Sequence, residues 1–439
     1  MKRKQLRFRS LSLSIVLMLF LLAACESLPI EVELPWLNTQ MPNLAPPSPT
    51  PEKTAVPETE APEATATPVE TVDSLIIWFP PELSPLDDTP AGNILSEKIN
   101  AFSTERAIDV EIRIKSQTGT GSLLDSLTAS SLAAPHTSPD LIVLTTDDLR
   151  LAQERDLIFA NEQLEEMLTE SDWYPFGEEL AQMDVELPVL PIMANPLVMV
   201  YRQDSLLPPS NDWKDISTNF GYFGFASDDP QAEYMLMLYQ ALGGKVMDAQ
   251  GRAILEEEPL LAAFTVLREG KGSLHISNLT AGFQTNDQVW TAYINRNIDT
   301  AVVPLSIVLN HNFEVNHPLP ALTEPEITLG DSYGWALGNS NPIRQELALD
   351  LLEELSEADF LAEWTEALGW LPARSSALEK WENEDLKPAL LQLGKATKLF
   401  PPEEIVNRLG PALRNASLLI LVDSADPLET TKTTIESIK

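Results

Sequence analysis

The order of apolar and polar residues predicts a series of strands from Ser74 onward. Two short, continuous apolar runs are typical of buried strands, and a third run alternates strictly between apolar and polar side chains, as a half-buried strand does. The two continuous runs are 75–79 and 140–144, and the alternating run is 108–114. Apolar residues at helical spacing predict helices over 93–106, through 123–132 and over 147–155. This alternation of strands and helices predicts a parallel α/β sheet.

The alternation continues less regularly through the rest of the chain. Short apolar runs predict three more strands, which are 197–201, 301–304 and 333–337. Amphipathic spacing predicts two helices, which are 234–242 and 344–355. Beyond residue 358 the pattern predicts helices only, and no stretch of the chain repeats another.

The N-terminus has the build of a secretory signal. Five basic residues among the first nine precede an apolar run over 11–22, which is too short to span a bilayer comfortably. The segment Leu22-Ala-Ala-Cys25 resembles the lipobox of bacterial lipoproteins, in which the peptide is cut before the cysteine and lipid is attached to it. This resemblance implies a signal peptide over 1–24 and a lipidated Cys25 outside the cytoplasmic membrane. An ordinary secretory signal with a chance cysteine is the alternative.

Residues 26–72 differ in composition from the rest of the chain. They contain ten prolines, and eight glutamates against one lysine. Such a segment cannot bury enough apolar surface to offset the entropy lost on ordering, so it predicts an extended, disordered stalk. Together with Cys25, the predicted tether spans 25–73, and the folded part begins at Ser74.

The charge of the chain narrows the classes of partner. The sequence has 29 Lys and Arg against 66 Asp and Glu, and without residues 1–24 it would have 24 against 66, a net charge of −42. A surface this acidic repels nucleic acid and anionic lipid headgroups, so neither is expected as a partner. Cys25 is the only cysteine, which excludes disulfides within the chain and thiolate metal clusters. The histidines also lack zinc spacing, so we expect no metal. We also expect no cofactor, and we expect the protein to be a monomer.

One motif points towards an enzyme. Gly330-Asp-Ser-Tyr-Gly334 fits the Gly-x-Ser-x-Gly nucleophile elbow of hydrolases, which follows a strand, opens a helix and precedes the catalytic histidine. Here the residues after Ser332 predict a strand, and all four histidines precede it. A serine hydrolase using Ser332 is therefore only a remote alternative.

Several short motifs succeed one another along residues 74–439. They are Ser138-Pro-Asp-Leu-Ile-Val-Leu-Thr-Thr-Asp147 with Arg155-Asp-Leu-Ile158, Leu187-Pro-Val-Leu-Pro191 with 197–204, Asn211-Asp-Trp213, Leu319-Pro320 with Tyr333-Gly-Trp-Ala-Leu-Gly338 and Asn341-Pro342, and Gly369-Trp-Leu-Pro-Ala-Arg374. Each motif is weak by itself, but their order resembles that of the extracellular solute-binding proteins of ABC importers, family 1, the sugar-binding type. The first loop, 80–85, departs from that family because it lacks glycine-rich or basic residues, so sugar specificity does not carry over.

The resemblance implies an α/β fold with two lobes, a periplasmic-binding-protein-like fold of type II, joined by hinge strands. Lobe 1 would comprise 74–196 plus 318–358, and lobe 2 would comprise 197–317 plus 359–439. A solute would bind between the lobes, which close on it by hinge motion, and pass to ABC permease subunits with no bond broken. A carbohydrate is the expected solute. The alternatives are a non-sugar solute, or a binding lobe used as a sensor or adhesin.

The expected ligand-binding residues are those that suit a sugar. Aromatic rings stack on the C–H faces of a sugar, and carboxylates or amides bond its hydroxyls. Ligands of open α/β sheets lie beyond the carboxyl ends of the strands. The side chains chosen on these grounds are Trp78, Phe79, Glu82, Asp147, Asn195, Glu233, Tyr234, Ser306, Tyr333, Trp335 and Trp370. For the aromatic residues the alternative is packing in the core, and for Asp147 it is capping of the helix after it.

Overall fold

The computed structural model describes residues 74–169, 172–182, 189–202, 221–311, 321–323 and 325–439. All of them belong to one compact unit, which spans Val69–Lys439. Several expectations lie outside the described residues, and these are the signal peptide over 1–24, the lipidated Cys25, the stalk over 25–73, the Asn211–Trp213 motif and Leu319-Pro320.

Three parallel strands begin the fold. Strand β1 (Ser74–Phe79) pairs in parallel with β2 (Asp109–Ile114) on one side and with β3 (Leu141–Thr145) on the other. Helices α1 (Pro90–Arg106) and α2 (Leu123–Ala133) form the crossovers. The continuous apolar runs of β1 and β3 are buried, as expected for strands inside a covered parallel sheet. The prediction of a parallel α/β sheet is confirmed for these strands.

The rest of the described chain continues to mix helices and strands. The further strands are β4 (Leu190–Tyr201), β5 (Phe223–Gly224), β6 (Thr300–Pro304), β7 (Ala321–Leu322), β8 (Thr328–Leu337), β9 (Leu371–Pro372) and β10 (Thr397–Leu399). The further helices are α3 (Thr146–Glu154), α4 (Glu162–Leu168), α5 (Pro175–Ala181), α6 (Glu233–Ala241), α7 (Glu257–Gly272), α8 (Asn286–Ile294), α9 (Leu305–Leu309), α10 (Pro342–Ser356), α11 (Ala358–Leu368), α12 (Ser375–Leu378), α13 (Lys387–Ala396), α14 (Glu403–Asp423) and α15 (Pro427–Ser437). Within the described residues, no helix combines the length and the apolar character needed to cross a membrane.

Two long strands join the halves of the sheet. β8 lies antiparallel between β3 and β4. β4 pairs with β8 over residues 190–196 and then with β6 over residues 197–201. The strand order along the sheet is therefore β2-β1-β3-β8-β4-β6-β5. The two long strands occupy the place that the family resemblance gives to hinge strands.

The crossing of β4 and β8 is tight at Gly330. This residue lies opposite Pro196 in the antiparallel register. A Cβ atom at residue 330 would stand 2.8 Å from Pro196 Cα, which is closer than a real Cβ atom comes to another carbon. The close approach of the two backbones therefore requires a residue without a side chain.

Helices pack on both halves of the sheet and form two apolar cores. The first core surrounds β1, β3 and the beginning of β4, with Phe102 of α1 and Leu352 of α10 among its fully buried residues. The second core gathers α6, α7 and α14 around Met199 and Phe225. The first core also extends along the sheet to Val303 of β6 and Trp290 of α8.

The prediction of helices only beyond residue 358 is wrong. Strand β9 pairs with β4, and strand β10 pairs in parallel with β8. A strand of two or three residues has no room for the period-two alternation by which strands are predicted. These two exist because the edges of longer strands are available to pair with them.

The packing of residues 358–399 bears on the predicted lobe boundary at residue 359. Helix α11 packs against α1, helix α13 packs against α5, and β10 pairs with β8, so residues 358–399 contact elements of the first lobe. Helices α14 and α15 pack against α7 of the second lobe instead. We therefore propose that the last segment of the second lobe begins after Leu399.

Candidate functional site

Polar side chains line one face of the crossing strands. Asp331 and Tyr333 are two residues apart on β8, so their side chains lie on the same face. Asn195 of β4 lies directly opposite Asp331 in the antiparallel register. Opposed residues of neighbouring strands share a face, so all three side chains are neighbours there. We call Asn195, Asp331 and Tyr333 the cleft floor.

Tyr333 anchors an aromatic corner at one end of the cleft floor. Its hydroxyl donates to Glu82 Oε1 at 2.6 Å and accepts a hydrogen bond from the side-chain amide of Gln117. Its ring packs against Trp370, with centroids 5.3 Å apart. Burial, and then the bond to Glu82, raises the pKa of Tyr333 above its usual value, so the hydroxyl remains a donor. Tyr333 is only 4% exposed, whereas Trp370 is half-buried and Glu82 is exposed.

Asn195 ties the cleft floor to the start of helix α9. Its Nδ2 donates to Ser306 Oγ at 2.9 Å, and its Oδ1 accepts from the Ser306 backbone N–H at 2.9 Å. Both side chains are half-buried. These two hydrogen bonds hold the Asn195 amide in one orientation beside Asp331.

Carboxylates from four elements meet at the other end of the cleft floor. Asp331 of β8, Asp147 of α3, Glu233 of α6 and Glu403 of α14 line one crevice together with Gln231. The crevice has a volume of about 50 Å³. We call these four acidic residues and Gln231 the carboxylate crevice. It lies between the lobes, because α3 packs on the first half of the sheet and α14 on the second-lobe helices.

Two carboxyl groups of the crevice, those of Glu233 and Asp331, have a raised pKa. Removal from bulk water raises the pKa of Glu233 to about 7, and the charges of Asp229 and Asp331 act in the same direction, while a hydrogen bond from Asn286 opposes them. The same loss of hydration raises the pKa of Asp331 to about 6, and the charge of Asp147 adds to it. Asp331 remains exposed at the cleft floor, so solvent moderates the effect there.

Local backbone geometry sets the start of helix α6 and with it the place of Glu233. Ala232 adopts a left-handed conformation with φ of 51°, which is uncommon for a residue that carries a side chain. The Asp229 carboxylate accepts from the backbone N–H groups of Gln231 and Glu233, both at 3.0 Å. Asp229 thus caps the helix, and the turn through Ala232 brings Gln231 and Glu233 to the crevice.

Four of the predicted site residues pack in the core instead. Phe79 is 0%, Trp335 1%, Trp78 2% and Tyr234 3% exposed. Phe79 packs edge-on against Trp335, with centroids 5.4 Å apart, and the Tyr234 ring lies 4.0 Å from that of Phe225. Helices and neighbouring strands cover these rings, so we do not include them in the proposed binding surface.

Asp147 does not cap the helix in which it lies. Thr145 does so, because its hydroxyl accepts from the Asp148 backbone N–H. Asp147 Oδ1 instead accepts from the Glu403 backbone N–H at 3.0 Å and from Arg150 at 2.9 Å. The side chain is therefore already bonded to helix α14.

Sequence reasoning missed three residues of this arrangement. Gln117 comes after β2, and the rule that ligands lie beyond the carboxyl ends of strands would have found it. Asp331 lies two residues before Tyr333 on β8, and the period of two along a strand would have found it on the same face. Glu403 had no local signal, since only the folding of α14 against the first lobe brings it to the crevice.

Ser332 lacks the geometry of a nucleophile elbow. It lies inside β8, not at a turn from a strand into a helix. Its side chain is 1% exposed, and its hydroxyl donates to the Met193 backbone carbonyl at 2.8 Å. The hydroxyl is thus engaged inside the sheet.

A larger groove lies away from the crossing strands. It has a volume of about 690 Å³ and is lined by Arg252, Leu255, Arg408 and Ile438 among others. Arg408 donates to the Ile438 carbonyl and Arg252 pairs with Asp248, so both arginines of the groove already have partners. The groove lies on one lobe only. Among the described residues, no group of three or more His, Cys, Asp or Glu side chains has an arrangement that could hold a metal ion.

A family model for the bacterial extracellular solute-binding proteins matches residues 98–389 of the 439-residue chain. The chain belongs to this family. The match confirms the resemblance found in the sequence motifs, and it places this solute-binding protein among proteins that act outside the cytoplasm. A comparison with curated proteins found no match.

The solute-binding protein is also similar to solved structures. A cyclo/maltodextrin-binding protein complexed with maltotetraose aligns with a TM-score of 0.63 and 14% identity, over 85% of this chain and 98% of the other. The extracellular solute-binding protein from Staphylococcus aureus in complex with maltose aligns with a TM-score of 0.63 and 15% identity, over 84% of this chain and 97% of the other. The cyclic alpha-maltosyl-1,6-maltose binding protein from Arthrobacter globiformis aligns with a TM-score of 0.60 and 15% identity, over 84% of this chain and 98% of the other. These likenesses confirm the two-lobed α/β fold.

Proposed function

We propose that this solute-binding protein captures a carbohydrate between its lobes and delivers it to the permease of an ABC importer. The observation that carries the proposal is the cleft floor, where an aromatic corner and a row of carboxylates and amides meet on the strands that join the lobes. Two of the solved proteins of similar fold bind maltose or maltotetraose. No bond in the solute is broken in this mechanism.

Trp370 is the proposed stacking platform. Its half-buried ring is backed by Tyr333, and Tyr333 is held in turn by Glu82 and Gln117. A rigid aromatic surface of this kind suits the C–H face of a sugar ring. Because Tyr333 itself is nearly buried, its role is to orient Trp370 and Glu82.

Amides and carboxylates are the proposed partners of the sugar hydroxyls. Asn195, held by Ser306, and the exposed Asp331 lie side by side on the cleft floor. Glu233 faces the same crevice. Ionised carboxylates accept hydrogen bonds and amides both donate and accept, so together they match hydroxyl groups, which do both.

Binding requires the lobes to separate. Sites for small molecules commonly enclose roughly 300–1,000 Å³, whereas the carboxylate crevice encloses about 50 Å³. A sugar therefore enters only when the second lobe moves away from the first. The β4–β8 pair, with its close crossing at Gly330, is the proposed hinge.

The proposed partners are the solute, the ABC permease subunits and the membrane. The lipid on Cys25 would anchor the protein, and the stalk over 25–73 would let the folded part reach above the membrane surface. We propose that the protein acts as a monomer.

A thermal unfolding screen tests the proposed solute class. The full chain is heated with neutral mono- and oligosaccharides, including maltose and maltotetraose, and with peptides and amino acids. A bound sugar at a hundredfold excess over its Kd should stabilise the protein by about 2.7 kcal/mol. A shift with a sugar supports the proposal. A shift with peptides and with none of the sugars would overturn the carbohydrate assignment.

A further inference from the structure

Helix α14 begins without a capping side chain of its own segment. It runs over Glu403–Asp423, and the residue before it, Pro402, offers no side-chain acceptor. The first backbone N–H groups of a helix lack partners within the helix, and they carry the positive end of its dipole. A carboxylate placed at the Glu403 N–H therefore stabilises the start of this helix.

That carboxylate comes from the opposite lobe. Asp147 of α3 accepts from the Glu403 backbone N–H at 3.0 Å, and Arg150, one turn further along α3, pairs with the same oxygen at 2.9 Å. Helix α3 packs on β3 and β8, whereas α14 packs on α6, α7 and α15. The hydrogen bond thus joins the two lobes directly.

The contact lies beside the route into the cleft. Asp147 and Glu403 both line the carboxylate crevice, so their contact narrows the space between the lobes. We propose that the hydrogen bond from the Glu403 N–H to Asp147 is a latch that holds the lobes together without a solute and opens before a solute enters. The latch goes beyond the proposed function, because it requires neither a sugar nor an importer.

Negative charges on both sides of this contact oppose closure of the lobes, so the equilibrium between open and closed forms depends on the one attractive hydrogen bond. Asp147, Asp148 and the Glu403 side chain bring negative charge to the same contact, and burial with the charges of Asp147 and Glu403 raises the pKa of Asp148 to about 6. Arg150 offsets part of this charge. Since repulsion across the contact opposes closure, removal of the attractive bond should favour the open form.

A pair of substitutions at residue 403 isolates the latch. Glu403→Pro removes the N–H at the first helical position, where proline is well tolerated, whereas Glu403→Ala removes the side chain and keeps the N–H. Both are made in the full chain with Cys25→Ser and with spin labels at Leu132→Cys and Leu274→Cys, positions that are 82% and 65% exposed on the two lobes. Pulsed electron–electron double resonance then measures the distance between the two spin labels, and hence between the lobes, without any solute.

We expect Glu403→Pro to raise the ratio of long to short distances about fivefold, as for the loss of a typical helix cap. Glu403→Ala should leave the distribution near that of the parent or shift it towards short distances. Equal distributions for the parent and Glu403→Pro would overturn the latch, as would equal lengthening in Glu403→Pro and Glu403→Ala.

The other lobe provides an independent version of the test. Asp147→Ala removes the acceptor and should lengthen the distances in the same way, whereas Asp125→Ala, at an exposed first-turn aspartate of α2, should not. If a thermal melt shows that Glu403→Pro does not fold, the comparison of Asp147→Ala with Asp125→Ala tests the latch instead. An unchanged distribution in a folded Asp147→Ala protein would overturn the proposal.

Discussion

Glu233 is a residue whose chemistry depends on the fold. The Asp229 cap and the left-handed Ala232 fix its place at the start of α6, and the crevice raises its pKa to about 7. The folded protein therefore binds a proton at Glu233 more tightly than the unfolded chain does. This proton contributes stability below the unfolded pKa, near 4.5, and the contribution is lost as pH rises through about 7.

The substitution Glu233→Gln removes this titration and keeps an oxygen that accepts from Asn286. After allowance for partial exposure, we expect the variant to be more stable than the parent by about 2 kcal/mol at pH 8 and little changed at pH 4. Urea unfolding at both pH values measures the difference. Glu258→Gln, at an exposed first-turn glutamate of α7, is the control. Its effect on the free energy of unfolding should be the same at both pH values. An effect of Glu233→Gln that is independent of pH would contradict this account.

Single residues also mark the limit of prediction from sequence. Glu82, Ser306 and Tyr333 were predicted because they come after strands or lie on one, whereas Asn195 was predicted at the hinge and Trp370 at the start of the last segment of lobe 2. These five residues lie at or beside the cleft floor. The core rings could not be separated from them in this way. A strand pattern tells which side chains share a face, but which face a helix covers is decided by tertiary packing.

Among the elements, the strands that carry their own pattern were predicted well. β1, β2 and β3 each have an apolar run or an alternation, and the structure contains all three. The first half of β4 was missed because its two prolines interrupt the pattern. In the structure Pro191 lies opposite Gly334, and Pro196 lies opposite Gly330. Proline rings are thus accommodated where the partner strand has no side chain, a compensation that the sequence of one strand alone does not reveal.

This pairing makes a prediction for the crossing of the long strands. A methyl group in Gly330→Ala would meet the backbone of Pro196 at 2.8 Å and force β4 and β8 apart. We expect a loss of about 1–3 kcal/mol in the free energy of unfolding. Chemical denaturation measures it.

Gly272→Ala is the matched control for the crossing glycine. An added Cβ at residue 272, at the end of α7, meets nothing within 4 Å. The control should be neutral or more stable by up to about 1 kcal/mol, because alanine favours the helix. A loss in Gly330→Ala no larger than that in Gly272→Ala would show that the crossing tolerates a side chain.

At the level of the whole molecule, the family and the two-lobed fold were predictable because several motifs occur in a fixed order. The lobe boundary that we propose after Leu399 was not predictable, because α11 and α13 reach the first lobe only through tertiary contacts. Nor was the small size of the crevice, which depends on how closely the lobes approach each other.

The membrane anchor is a prediction for the intact chain in its cell. Cys25→Ser removes the thiol that would carry the lipid, so the protein should leave the membrane fraction and appear in the soluble extracytoplasmic fraction. Cell fractionation and the mass of the purified protein measure the change. Ser27→Ala keeps the thiol and should remain with the membrane. Membrane association that is the same for Cys25→Ser and the parent would contradict the anchor.

The most direct test of sugar capture at the cleft floor is a calorimetric titration with the sugar that most stabilises the parent protein. Trp370→Ala should weaken binding by about tenfold or more, through loss of the stacking surface. Tyr222→Ala removes an aromatic ring that is 55% exposed elsewhere on the surface, and it should bind as the parent does. Equal affinities for the parent and Trp370→Ala would contradict a sugar site on these strands.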